Sequence, residues 1–94
     1  MKLSDKFYEE RLKEQNGKCY YCGIVLIKGV RPKSNIDIDH IKPFSKYKDG
    51  TRKNLCLSCH NCNMIKLDLE IEEFRIKAKG KGILKNNKFN FEIK

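Results

Sequence analysis

The 94 residues make one domain, near the size at which burial of apolar surface barely offsets chain entropy, so a covalent or metal staple is expected. The five cysteines are an odd number, no apolar leader opens the chain, and nothing approaches the roughly 18 consecutive apolar residues of a membrane span, which argues against a disulfide scaffold or a membrane protein and for thiolate ligation in a reducing cytoplasm. With 21 Lys and Arg against 12 Asp and Glu the net charge is +9, and such a balance suits a polyanionic partner such as nucleic acid.

Leu3, Phe7, Tyr8 and Leu12 recur at helical spacing, Ser4 can cap the start, Asp5 sits in the first turn and Asn16-Gly17 is a stop signal. A helix of about three turns is predicted. CYYCG at 19–23 follows, then GIVLI at 23–27, short enough for a strand, and the turn-rich GVRPKSN at 29–35. IDIDHI at 36–41 alternates: Ile36, Ile38 and His40 point one way, Asp37, Asp39 and Ile41 the other. For Asp39 and His40 to serve one site the strand must end or bulge there, and Pro43 supports an ending. After a basic loop in which Lys42, Lys46, Lys48, Arg52 and Lys53 are opposed only by Asp49, NLCLS at 54–58 returns as the second strand of a hairpin. From Cys59 a helix is predicted, interrupted near Leu67 to Leu69, and IEEFRIKAK at 71–79 makes a further amphipathic helical segment. Arg75, Lys77, Lys79, Lys81, Lys85 and Lys88 form a run with no acid, read as a phosphate-contacting face that positions DNA without reading its sequence. The tail at 80–94 reads either as a small hairpin turning at Asn86-Asn87 or as a basic arm that orders on DNA.

Cys19-x-x-Cys22 is a tight knuckle whose sulfurs can take neighbouring corners of a tetrahedron, and a second pair completes four thiolates for structural Zn²⁺. Two registers compete for that pair, Cys56 with Cys59 or Cys59 with Cys62. Cys56 lies inside an alternating run, where a thiol is usually a small core residue. Cys59 and Cys62 fall at a strand-to-helix junction, where knuckles form readily, so they are preferred. His60 directly follows Cys59, and adjacent residues rarely converge on one ion.

DHIKP at 39–43, the basic loop with Gly50, NL at 54–55 and CHNCNMIK at 59–66 together resemble the HNH endonuclease family in its zinc-stapled form. The resemblance spans 19–66 and implies a small α+β, ββα-metal (His-Me finger) fold with flanking helices: an N-terminal helix over 1–18, a zinc-stapled core over 19–66 and a basic C-terminal part over 67–94. It implies that Asp39 and Asn63 bind a catalytic divalent ion, that His40 is the general base, that Asn54 braces the loop, and that Cys19, Cys22, Cys59 and Cys62 hold zinc. Asparagine at 63 in place of histidine offers a hard neutral oxygen, which with Asp39 suits Mg²⁺ or Mn²⁺.

The implied activity is hydrolysis of double-stranded DNA to 5′-phosphate and 3′-hydroxyl ends. Lys66, Arg75, Lys77, Lys79 and Lys81 are the expected phosphate contacts, and Asp37 and His60 are left between supporting roles and solvated positions. One such site cuts one strand at a time, so a monomer or weak homodimer is expected, and the small size suits a phage or mobile-element protein or a subunit of a restriction assembly. A non-catalytic zinc-stabilised DNA-binding module is the rival reading. Binding alone has no use for Asp39, His40 and Asn63 together.

Overall fold

The computed structural model describes residues 5–29, 34–84 and 88–90. Leu3, the Ser4 cap, part of the turn-rich 29–35 segment, Lys85 and the Asn86-Asn87 turn lie outside them. In chain order the elements are α1 (Asp5–Glu14), β1 (Ile36–His40), α2 (Phe44–Tyr47), a 3₁₀ turn (Arg52–Asn54), β2 (Leu55–Cys59), α3 (His60–Lys66) and α4 (Ile71–Gly80).

Helix α1 ends where the sequence signals it. Asn16 and Gly17 take positive φ values of 54° and 68°, and the Gly17 N–H reaches the Leu12 carbonyl at 2.7 Å, a C-terminal cap that satisfies a carbonyl the helix leaves over. Gln15 then ties this end to the sheet. Its amide donates to the carbonyls of Lys18 at 2.9 Å and Leu57 at 2.8 Å, and its oxygen accepts the Leu57 N–H at 3.0 Å.

The predicted strand at 23–27 does not form. There is only an isolated bridge from Lys18 to Val25, and Ile24, Val25 and Ile27 are exposed while Leu26 alone turns into the core. The side chain of Asn35 supplies what a ladder would: it accepts the Ile27 N–H at 2.6 Å and donates to the Val25 carbonyl at 3.1 Å. Apolar composition favours a strand only where a neighbouring strand is available to pair, and here a side chain takes that place.

Strands β1 and β2 form the predicted antiparallel hairpin, with Asp37 opposite Ser58, Asp39 opposite Cys56 and His40 opposite Leu55. β1 stops at His40, before Pro43 as expected, and His40 is still paired with Leu55. The connection read as a basic loop carries α2 and the 3₁₀ turn. α3 springs directly from β2: Cys59 is its N-cap, with its sulfur accepting the Cys62 N–H at 3.3 Å. At Leu67 φ turns to 50° and ends the helix inside the expected break. α4 then restarts with a reciprocal Glu70–Glu73 capping box.

Phe7, Tyr21, Leu26, Leu55, Leu57, Phe74, Ala78 and Leu84 fill the core together with buried cysteines. The described part of the tail folds back onto the Cys19–Cys22 turn: Phe89 stacks on Phe74 with ring centroids 5.6 Å apart, and the Asn90 N–H donates to the Tyr21 carbonyl at 2.7 Å. The fold is therefore α+β, a two-stranded antiparallel sheet with helices packed on it. Among the described residues no helix is long and apolar enough to cross a membrane.

Gln15 is the acceptor for the N–H of the buried Leu57, whose carbonyl also takes the Tyr20 N–H at 3.1 Å, so Gln15→Leu leaves one buried donor without its partner. At about 1–3 kcal/mol for an orphaned group, a loss of that size is expected in urea denaturation.

Candidate metal centre and catalytic strand

The ligand sulfurs of Cys19, Cys22, Cys59 and Cys62 all lie within 4.8 Å of one another, and Cys22 Sγ stands 3.7 Å from Cys59 Sγ. Four thiolates around one zinc with bonds of about 2.3 Å stand about 3.8 Å apart, so the cluster has the dimensions of a filled tetrahedral site. Backbone amides aim at the sulfurs as in a knuckle: the Cys59 N–H donates to Cys19 Sγ at 3.2 Å, beside the Cys62 bond to Cys59. Hydrogen bonds from Cys22, Cys59 and Cys62 hold the Cys19 thiol below its ordinary range, while Cys59 is pushed up by its bonds to Cys19 and Cys22, and Cys62 by its bonds to the other three sulfurs. Metal ligation requires the thiols to give up their protons. The register is therefore Cys59 with Cys62. Cys56 is a buried core thiol opposite Asp39, raised above its usual range chiefly by burial.

The acids of β1 face α3 and the knuckle. Asp39 is buried, and its Oδ2 accepts the Tyr21 hydroxyl at 2.5 Å and pairs with the Lys66 ammonium at 3.2 Å. Burial raises the Asp39 carboxyl above its ordinary value; the Lys66 charge and the Tyr21 hydrogen bond pull the other way. Tyr21 is held well above its own range, first by burial and then by Cys56 and Asp39, and so remains a donor.

Lys66 corrects a sequence expectation. It is neither a phosphate contact nor a surface lysine: its side chain is 0 % exposed, and Nζ also donates to the His40 carbonyl at 2.8 Å. Residues 63 and 66 are one helical turn apart, so the face of α3 that brings Asn63 to the acids brings Lys66 with it.

Asp37 gathers a second group. Its Oδ2 accepts the Asn63 side-chain amide at 3.0 Å and lies 2.8 Å from His60 Nδ1. Its side chain is 10 % exposed and that of His60 54 %, so Asp37 is not a solvated strand residue. The structure thus brings Asn63 into direct contact with Asp37 and gives Asp39 to Lys66 and Tyr21.

His40 closes the strand, half-buried, with its ring 5.1 Å from that of Phe44. Asn54 braces the loop beyond it: the Asn54 side chain accepts the Lys42 N–H at 2.8 Å and donates to the carbonyls of Lys42 at 3.1 Å and Asp49 at 2.8 Å. Asp49 in turn accepts the Thr51 N–H and hydroxyl, which holds its carboxyl below the usual range. The bend after His40 is a built structure.

The basic run on α4 does not make a single face. Residues two apart on a helix sit about 200° apart around its axis. Arg75 and Lys79 therefore flank the buried Phe74–Ala78 stripe on one side, Lys77 and Lys81 on the other. Arg75 is engaged within the protein, with its guanidinium 5.0 Å above the Phe89 ring and an ion pair to Glu72 at 3.3 Å. The lysines of α4 are exposed.

A two-stranded antiparallel hairpin leading into a helix, with a four-thiol cluster at the junction and Asp37, His60 and Asn63 meeting beside it, has the form of the zinc-stapled ββα-metal class. The model of the HNH endonuclease family matches residues 19–69, more than half of the 94 residues, and the chain belongs to that family. No curated protein matches it.

The sequence did not single out Tyr21, because nothing in CYYCG distinguishes it from Tyr20. Two outcomes test the assignments. Cys59→Ser is expected to lose bound zinc on metal analysis, whereas Cys56→Ala keeps it at a cost of at most about 1–2 kcal/mol. Lys66→Met strands the buried Asp39 carboxylate and is expected to destabilise the fold by about 3–5 kcal/mol in denaturant titration.

Proposed function

We propose that the protein is a metal-dependent endonuclease that hydrolyses phosphodiester bonds of double-stranded DNA, leaving 5′-phosphate and 3′-hydroxyl ends, with Zn²⁺ as a structural cofactor. The observation that carries this reading is that α3 packs on the acid face of β1, with Asn63 on Asp37 and Lys66 on Asp39, next to His40 at the end of the strand and beside a four-thiol cluster. A binding module has no use for Asp39, His40 and Asn63 together.

Asp39 and Asn63 supply oxygen donors on the α3 side of β1, with Asp37 in contact with Asn63. Two carboxylates and an amide are hard ligands, which fits Mg²⁺ or Mn²⁺. A divalent ion held there would neutralise the phosphate charge and the departing 3′ oxygen. His40 takes the proton from the attacking water, the task for which an imidazole is the natural side chain near neutral pH. His40 is the last residue of β1, so the base stands at the strand end, next in sequence to Asp39. Asn54 fixes the loop behind His40. Lys66 keeps Asp39 and the His40 backbone together.

Lys42, Lys46, Lys48, Arg52 and Lys53 are all exposed on the loop that follows His40. Lys77, Lys79 and Lys81 are exposed as well, and contacts from such cations to phosphate position a duplex without reading its sequence.

The test is incubation of purified protein with supercoiled plasmid across a panel of metals. Nicking in Mg²⁺ or Mn²⁺ that EDTA abolishes is expected, and His40→Ala should lower the rate by roughly 10²- to 10⁴-fold. Salt-dependent binding with no cleavage in any metal would instead establish the non-catalytic module.

A further inference from the structure

The Asp39 carboxylate is held by a residue of the zinc knuckle. Tyr21 lies between two cysteines of the cluster, is 0 % exposed, and donates its hydroxyl to Asp39 Oδ2 at 2.5 Å. Its ring is clamped edge-on by Tyr20, Phe74 and Phe89, with centroids 5.4, 4.9 and 5.4 Å away, and the Asn90 N–H bonds its carbonyl. Such a ring has one place to put its hydroxyl. The second partner of Asp39, the Lys66 ammonium, takes the same oxygen.

We propose that Tyr21 is a positioning residue for the metal-binding carboxylate, so that the knuckle folded by the four cysteines orients Asp39 for the divalent ion. This rests on the nuclease reading above. Both described partners of the carboxylate fall on Oδ2, so Oδ1 is the atom that would be left to a divalent ion. Without the hydroxyl, the one described partner left to Asp39 is Lys66, whose single charge competes with a cation for the carboxylate. The knuckle therefore does more than close the fold: its aromatic residue carries the geometry of one metal site to the other. Outer partners that orient a metal ligand typically contribute about 10–100-fold to metal affinity or activity.

Tyr21→Phe keeps the ring and its packing and removes only the hydroxyl. Its thermal midpoint and bound zinc report whether fold and cluster survive, and Tyr20→Phe, changed at the neighbouring position of the same knuckle, is the control. Mn²⁺ binding is measured by calorimetry on wild type, both variants and Asp39→Asn, and plasmid nicking is measured as a function of Mn²⁺ concentration.

The expected result is Mn²⁺ affinity about 10-fold weaker in Tyr21→Phe, with a matching rise in the Mn²⁺ concentration for half-maximal nicking. Plasmid affinity and zinc content should be unchanged, and Tyr20→Phe should behave as wild type. A purely structural role would instead lower stability and zinc content without moving the Mn²⁺ dependence of the folded fraction, and that outcome overturns the proposal. So does a Tyr21→Phe protein that binds Mn²⁺ and nicks as wild type does. If wild type itself neither binds Mn²⁺ nor nicks, the nuclease reading fails and this one with it, and the wild-type arm separates that case from the other two.

Discussion

Four sulfur atoms are the constraint on which the rest of this small protein depends. Cys19 and Cys22 belong to the turn after α1, Cys59 and Cys62 to the junction of β2 and α3, and gathering all four within 4.8 Å encloses β1 and the whole basic loop between them. A chain of this size has little apolar surface to spare, and three of the four cysteines are themselves part of the buried core. The cluster also sets where α3 begins. Cys59 is at once the last residue of β2, a member of the cluster and the N-cap of the helix, so the direction in which Asn63 and Lys66 leave α3 follows from the position of the sulfurs.

Beside the cluster runs a chain of buried polar groups that a core of this size carries only if they are paired. Lys66, Asp39, Tyr21 and Cys56 follow one another by ion pair and hydrogen bond, and Lys66 also bonds the His40 carbonyl. An ammonium deep in a protein is costly without a partner. Here its partners are the acid and the backbone of the two adjacent residues at which the nuclease motif begins. The arrangement ties the end of β1 to α3 on one side and to the knuckle on the other, while Asn54 ties it to the loop.

Much of this was legible from local pattern. The stop at Asn16-Gly17, the hairpin of IDIDH with NLCLS, the end of β1 at His40 and the break at Leu67 all rest on residues whose backbone preferences act within a few positions. The cysteine register was legible as well, because Cys56 sits at an alternating strand position and Cys62 does not. The misreadings have a common cause. GIVLI has strand composition but no partner strand, and Asn35 takes over its hydrogen bonds. Lys66 looks like any surface lysine until the helix carrying it is laid against β1. The basic run from Arg75 is continuous in sequence, yet helical geometry splits it between two sides of α4.

By itself, then, the sequence determined the hairpin, the ends of α1 and α3 and which cysteines belong together, since spacing and turn chemistry are properties of neighbours along the chain. Only the tertiary structure decided which polar groups meet: Asp39 with Tyr21 and Lys66, Asp37 with His60 and Asn63. Those pairings join residues 18 to 27 positions apart, and partner choice at that range depends on how α3 and the knuckle pack against β1. Desolvation then makes the choice binding, because a buried carboxylate or ammonium must find its partner among the groups that packing brings within reach.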